Sequence, residues 1–356
     1  MKSWDVIIIG GGIIGLSLSI ELRKNGASIL VVERGEPGRE ASSAAGGMLV
    51  DCSLETKPAL QSLATASART YPEFVHELEI ESGIKVDLRE QGALVFLANG
   101  HAQESDMVGA GENALPAPLS ELEPAVAETS LPAIFLRERS VDPRALVTAA
   151  LATAKRRGVD ISAGEEVTAV NLSDGRATGV ATKKTTFQGS KVVNCAGAWA
   201  GQIAPHKFPT RPVKGQMLCL LSPKRDLLKH VIRTPEIYLI PRSGGRIVVG
   251  TTVEEAGFDK RTDLATIQRL RQAAISLVPE LRNAKIHEDW AGLRPGTPDA
   301  LPILGATSTP GYYVATGHFR DGILLGPVTA RVMAQVVEGK NPEHDLAAFS
   351  PTRFKS

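Results

Sequence analysis

Residues 4–15 read WDVIIIGGGIIG, residues 16–25 LSLSIELRKN, and residues 28–33 SILVVE. Residues 4–9 are short and almost wholly apolar, the pattern of a strand buried on both faces. Residues 13–25 carry helical periodicity, and Gly26 supplies a C-terminal stop. Residues 28–33 repeat the buried-strand pattern. The three pieces form a βαβ unit, whose crossover closes right-handed over a parallel strand pair.

Between the first strand and the helix lies a GxGxxG turn built on Gly10, Gly12 and Gly15. The first glycine permits the tight turn, the second lets a pyrophosphate approach the backbone, and the third lets helix and strand pack closely. The helix N-terminus offers open amides and partial positive charge to the phosphates. Glu33 ends the second strand, where an acid accepts hydrogen bonds from ribose hydroxyls and repels a 2′-phosphate. This is a dinucleotide site, and the fingerprint alone admits FAD or NAD. A simple NAD domain would turn promptly into another crossover helix. Here residues 36–49, EPGREASSAAGGML, intervene. Their small side chains suit a loop lying along a larger cofactor, and equally a flexible loop.

Further along, helical patterns run through 57–82. Asp142-Pro143 starts a helix to about Arg157, closed by Gly158. A β-meander follows, with a hairpin turn at Asp174-Gly175. Residues 215–252 are mostly β, 262–277 helical, and a last helix spans about Gly322 to Glu338. At 356 residues the chain exceeds the usual size of one core. The fold class is α/β, α+β overall: a Rossmann-like dinucleotide domain beside a β-sheet-rich substrate domain. The first is assigned to 1–50, 140–210 and 285–356, the second to 51–139 and 211–284.

Lys plus Arg is 40 against 39 for Asp plus Glu. That balance gives no footprint for nucleic acid or an anionic membrane. No run of 18 apolar residues and no secretory signal is found, so no membrane role is expected. Cys52, Cys195 and Cys219 form neither a metal-ligand pair nor a disulfide framework, and the seven histidines are scattered. No metal site and a cytoplasmic location are expected.

The segments DVIIIGGGIIG, EASSAAGGML, VVNCAGAWA, YLIPRSGGRIVVGTT, WAGLRPGTPD and GHFRDGILLGP span nearly the whole chain. In them the sequence resembles the D-amino-acid oxidase family of FAD enzymes, and most closely its glycine-oxidising members of thiamine biosynthesis. The resemblance implies FAD contacts at Ile13 and Ile14 in the phosphate turn, and at Glu33 and Arg34 along the adenosine half. It implies Ala41, Ser42, Gly46, Gly47 and Met48 beside the pyrophosphate and flavin, Val167 at the adenine, and Gly197 where the backbone passes close. His318, Phe319, Arg320, Asp321, Gly322, Ile323 and Leu324 would border the flavin. There a helix N-terminus stabilises negative charge on the reduced ring. Covalent flavin in the related sarcosine oxidases uses a late cysteine. None follows Cys219 here, so the FAD is expected to be non-covalent.

A substrate carboxylate calls for an arginine, whose planar fork donates two parallel hydrogen bonds. Arg294 sits after an apolar strand and before a Pro-Gly turn, a poor place for a plain surface charge. The resemblance gives it the carboxylate, adds Arg320 as a second candidate, and makes Tyr238 an active-site hydrogen-bonding residue. It further implies hydride transfer from a neutral amine to flavin N5. O2 would be reduced to H2O2 and the imine hydrolysed to an oxo acid and ammonia. Glycine, sarcosine and small D-amino acids are the expected substrates. The alternatives are a D-amino-acid dehydrogenase using another electron acceptor and an inactive FAD-binding protein. The resemblance also implies a homo-oligomer, a tetramer, and a thiazole synthase as a partner. Two positions depart from the family pattern: Glu236 stands where His is expected, and Val253 where Met is.

Overall fold

The computed structural model describes residues 2–51, 56–97, 114–116, 119–127 and 131–354, so Cys52 lies outside the described residues. The opening unit forms as read. Strand β1 (Ser3–Ile9), helix α1 (Ile13–Lys24) and strand β2 (Ile29–Glu33) follow in order, and the strands pair in parallel from Val6 opposite Ile29 to Ile9 opposite Val32. All five residues of β2 are buried, as a strand covered on both faces requires. The segment read as loop contains one helical turn, α2 (Ala41–Ala44), before β3 (Met48–Leu49).

Next come α3 (Gln61–Ser82), β4 (Leu88–Arg89), β5 (Ala93–Phe96), β6 (Ala114–Pro116), α4 (Leu119–Leu122), β7 (Ala133–Leu136) and β8 (Arg139–Val141). Helix α5 (Pro143–Arg156) begins at Asp142, whose carboxylate accepts from the amides of Arg144 and Ala145. That cap and the proline at the first helical position fix where the chain turns helical. Strands β9 (Asp160–Ala163), β10 (Val167–Ser173), β11 (Arg176–Thr182) and β12 (Thr186–Asn194) follow, with Asp174 and Gly175 at positive φ in the β10–β11 turn. The remainder is β13 (Arg211–Leu221), β14 (Val231–Arg233), β15 (Tyr238–Pro241), β16 (Arg246–Gly250), α6 (Leu264–Leu277), β17 (Lys285–Gly296), β18 (Ile303–Ala306), β19 (Tyr312–Thr316) and α7 (Gly322–Val337).

Among the described residues the strands form two eight-stranded sheets and one three-stranded sheet. The first runs β10-β11-β12-β1-β2-β9, with β19 against β12 and β18 against β19. Helices α1, α3, α5 and α7 pack over it in one apolar cluster that includes Leu16, Tyr71, Leu146 and Met333. The second sheet runs β17-β13-β16-β15-β14-β5-β7-β6. One of its faces presents Leu218, Leu220, Leu239, Ile247 and Val249 to Ile267, Leu270 and Ala274 of α6. Burying each large side chain there stabilises by roughly 1.5–3 kcal/mol. The small sheet is β3-β8-β4.

One expected boundary is corrected. Strand β17 was expected with the cofactor-binding segments from 285 onward, yet it pairs with β13 from Arg211 opposite Gly296 to Leu221 opposite Lys285. Its backbone groups find their ladder in the second sheet, so the chain returns to the first only after Gly296.

Candidate active site

A cavity of about 830 Å³ lies between the C-terminal edge of the first sheet and the free face of the second. Its lining includes every site residue expected from the sequence except Gly15 and Leu324. Gly15 serves packing instead: a Cβ there would sit 2.1 Å from the Gly10 carbonyl oxygen. Leu324 is buried in the helix-packing core.

At the nucleotide end, Gly10 takes φ +106, and a Cβ would meet the Cys195 carbonyl oxygen at 2.5 Å. Only glycine fits such a turn. Gly12 is the N-cap of α1 and has no side chain to cap it. The Ile13 amide donates to Ser42 Oγ at 3.0 Å, and Ile14 follows in the first turn, where α-helix amides have no intrahelical partner. Glu33 is already braced, since one oxygen accepts from the Gly11 amide at 2.8 Å and the other from the Gly35 amide at 2.9 Å. Each oxygen keeps a further lone pair for a ribose hydroxyl. The Arg34 guanidinium lies 3.6 Å from the Trp199 ring centroid and pairs with Glu40 at 2.9 Å. Val167 opens β10 at this end. A glycine-only turn, a helix start whose N-cap residue has no side chain and a braced acid form a cradle that fits a dinucleotide.

The middle of the cavity is bordered by the Gly46–Met48 turn and by residues 318–323. Arg242, the residue after β15, reaches into the turn. Its guanidinium donates to the Gly46 and Val141 carbonyls and to Ser140 Oγ. Opposite, Phe319 takes φ +48 and its amide donates to the Pro295 carbonyl at 3.1 Å. Helix α7 starts at Gly322, and the side chain of its N-cap, Asp321, does not cap it. Its first-turn amides therefore meet the cavity with positive polarity. His318 turns away from the reacting end: its Nε2 bonds Thr329 Oγ1 at 3.1 Å, and burial pushes its pKa down to about 3. It is a neutral structural histidine.

At the far end, the free face of the second sheet carries Tyr238, Gly250, Met217 and Trp290 in one cross-strand row, with Gly215, Gly292 and Arg294 beside it. Arg294 Nη2 donates to Thr251 Oγ1 at 2.9 Å and Nη1 to the Thr252 carbonyl at 3.1 Å. Burial lowers its pKa, while Tyr238 and Glu254 act to raise it. The Tyr238 hydroxyl meets Met217 Sδ at 3.7 Å, and burial raises its pKa against the pull of the Arg294 and Arg320 charges. Arg320 stands exposed at the mouth. Glu236 and Val253, the two departures from the family pattern, also line the cavity.

Several lining residues escaped the sequence reading. Gly215 and Met217 reach the site only through strand register, and Thr251 does so as the residue that follows β16. Arg233, also on the lining, forms a buried 2.8 Å ion pair with Glu138.

The FAD dependent oxidoreductase family model matches residues 5–336. The chain belongs to that family. Its cofactor is FAD. Among similar proteins, the flavoenzyme is 34% identical to the glycine oxidase of Pseudomonas aeruginosa, over 97% of this chain and 98% of that one. It is 36% identical to the bifunctional protein ThiO/ThiG of Trichormus variabilis, over 99% of this chain and 55% of that protein. The chain thus spans about half the length of the bifunctional relatives it matches. The crystal structure of glycine oxidase from Geobacillus kaustophilus superposes with a TM-score of 0.94 at 32% identity, covering 100% of both chains. Among the described residues no helix is long and apolar enough to cross a membrane, and no cluster of side chains could hold a metal ion.

Proposed function

We propose that this flavoenzyme oxidises a small amino acid, glycine first, to its imine, with O2 as electron acceptor and H2O2 as product. The observation that carries the reading is the Arg294 fork. It is braced by Thr251 and Thr252, lies beside Tyr238, and faces the cavity that holds the cofactor cradle.

Bound FAD supplies the acceptor for the hydride of the substrate C–H bond. Arg294 grips the carboxylate through charge-assisted hydrogen bonds and so fixes where the α-carbon lies. The Tyr238 phenol, whose pKa burial raises further, offers a donor beside it. The small residues Ala44, Ala45, Gly46 and Gly292 line the space between clamp and cofactor loop. The amine reacts neutral, because its nitrogen lone pair forms the imine bond as the hydride leaves, and His318, bonded to Thr329, takes no part in that step. The imine is then hydrolysed by water to an oxo acid and ammonia.

The ThiO/ThiG relatives and the glycine oxidases support a role in thiazole formation for thiamine, with a thiazole synthase as partner. A homo-oligomer, bound non-covalently to FAD and working in the cytoplasm, completes the proposal. The test is an aerobic peroxide assay against glycine, sarcosine, D-alanine, D-proline and the L forms, with flavin bleaching followed under nitrogen. Peroxide from glycine or a small D-amino acid is expected. Bleaching without peroxide would make the protein a dehydrogenase, and no bleaching with any amine would remove the enzymatic reading.

A further inference from the structure

The loop between β16 and α6, residues 251–263, belongs to the second sheet at both roots. Glu254 exchanges two backbone hydrogen bonds with Lys214 of β13, each 2.9 Å. The Asp263 amide donates to Gln216 Oε1 at 2.7 Å, and Gln216 Nε2 donates to Glu254 Oε1 at 2.8 Å. The tip instead reaches the cofactor cradle. Phe258 stacks on Trp199 with ring centroids 5.1 Å apart and planes 29° apart. Lys260 Nζ meets Glu40 Oε2 at 3.1 Å. Trp199 and Glu40 both hold the Arg34 guanidinium, at 3.6 Å and 2.9 Å. Arg34, Glu40 and Trp199 all line the cavity at its nucleotide end.

Phe258 remains 41% exposed, and both members of the Lys260–Glu40 pair are partly solvated. Neither contact is core packing for the second sheet. Their common target is the support of Arg34.

We propose that Phe258 and Lys260 are cofactor-retaining residues. They form the tip of a strap from the substrate-side sheet that fixes Trp199, Glu40 and Arg34 against the adenosine half of the dinucleotide. FAD leaves only when the strap lets Arg34 and Trp199 move. The stacked rings contribute the larger share, since an exposed ion pair is weak and screened by salt. This inference rests on FAD binding alone and not on which amine is oxidised.

The test dilutes full-length holoenzyme into FAD-free buffer and follows release by the rise in flavin fluorescence. Phe258→Ala is expected to speed release about fivefold and Lys260→Ala about twofold, magnitudes typical of an aromatic pair and an exposed ion pair. The Lys260 effect should fade in molar salt while the Phe258 effect persists. Phe258→Tyr and Lys260→Arg should restore slow release, and Leu264→Ala, an exposed neighbour outside the contacts, should not alter it. Melting of the cofactor-stripped variants should match that of the stripped parent. Release from the double variant at the parental rate would overturn the proposal. So would an equal loss of melting temperature with and without FAD, which marks a merely structural contact.

Discussion

The Arg294 guanidinium lies against Gly215: a Cβ at position 215 would sit 2.4 Å from both Nη1 and Nη2. The two residues belong to neighbouring strands, and Gly215 is paired with Gly292, two positions before Arg294. The missing side chain is what lets the fork lie flat along the sheet. Gly215→Ala should therefore push the guanidinium off Thr251 and Thr252 with the charge still present. Arg294→Ala should cost about 1.5–3 kcal/mol of carboxylate binding, about 10- to 100-fold in kcat/KM. Gly215→Ala should approach that loss, mainly through KM. Steady-state kinetics on glycine decide it. Parental KM in both variants would remove Arg294 from the substrate.

The attachment of the cofactor is tested directly. The described cysteines are buried, and burial raises the pKa of the Cys195 thiol, which lines the cavity, and that of Cys219. Neither is set up as a ready thiolate nucleophile. Acid precipitation of the holoenzyme should leave a colourless pellet and a yellow supernatant. A yellow pellet would show a covalent link.

Much of this site was legible in the chain itself because its signals are local. The GxGxxG turn and the capped helix at Asp142 are each decided within a few residues, whereas Pro295 and Gly296, which read as a turn after Arg294, continue strand β17. What stayed hidden depends on register. Gly250 is needed because a Cβ there would lie 2.6 Å from the Tyr238 ring, and nothing near residue 250 announces that neighbour. The membership of β17 in the second sheet was hidden likewise, since a strand pattern does not name its partner. Phe258 reads as an exposed loop residue until the fold brings it to Trp199.

Acid stability offers a third test. Burial depresses the His318 pKa from 6.5 to about 3, so the native state refuses a proton that the unfolded chain accepts. The unfolded state then binds more protons below 6.5, and stability falls as pH drops from there toward about 3. His206, also lowered by burial, acts in the same direction. Between about pH 7.5 and pH 5 the melting temperature should drop, and His318→Gln should lessen the drop while lowering the value at neutral pH. An identical pH slope in parent and variant would show that the imidazole titrates in the fold as it does in the unfolded chain.

Arg242 provides the last prediction. It is 3% exposed, and burial pushes its pKa down to about 10 while Asp142 and Asp87 act to raise it. Its guanidinium bonds three neutral acceptors, the Gly46 and Val141 carbonyls and Ser140 Oγ. A Cβ at Gly47 would lie 2.0 Å from the Val141 oxygen and 3.0 Å from Arg242 Nη2, so turn and arginine fit only each other. Arg242→Met keeps much of the volume but leaves those acceptors without their donor, at a cost of roughly 2–4 kcal/mol. Because Gly46 and Gly47 border the cavity, the loss should appear as weaker FAD binding as well as a lower melting temperature. Arg242→Lys should recover part of the stability but less of the cofactor affinity, since one ammonium cannot reproduce the planar fork. Titration of stripped protein with FAD, read beside thermal melting, separates the two effects. Full FAD affinity in Arg242→Met would show that the turn holds its shape without the arginine.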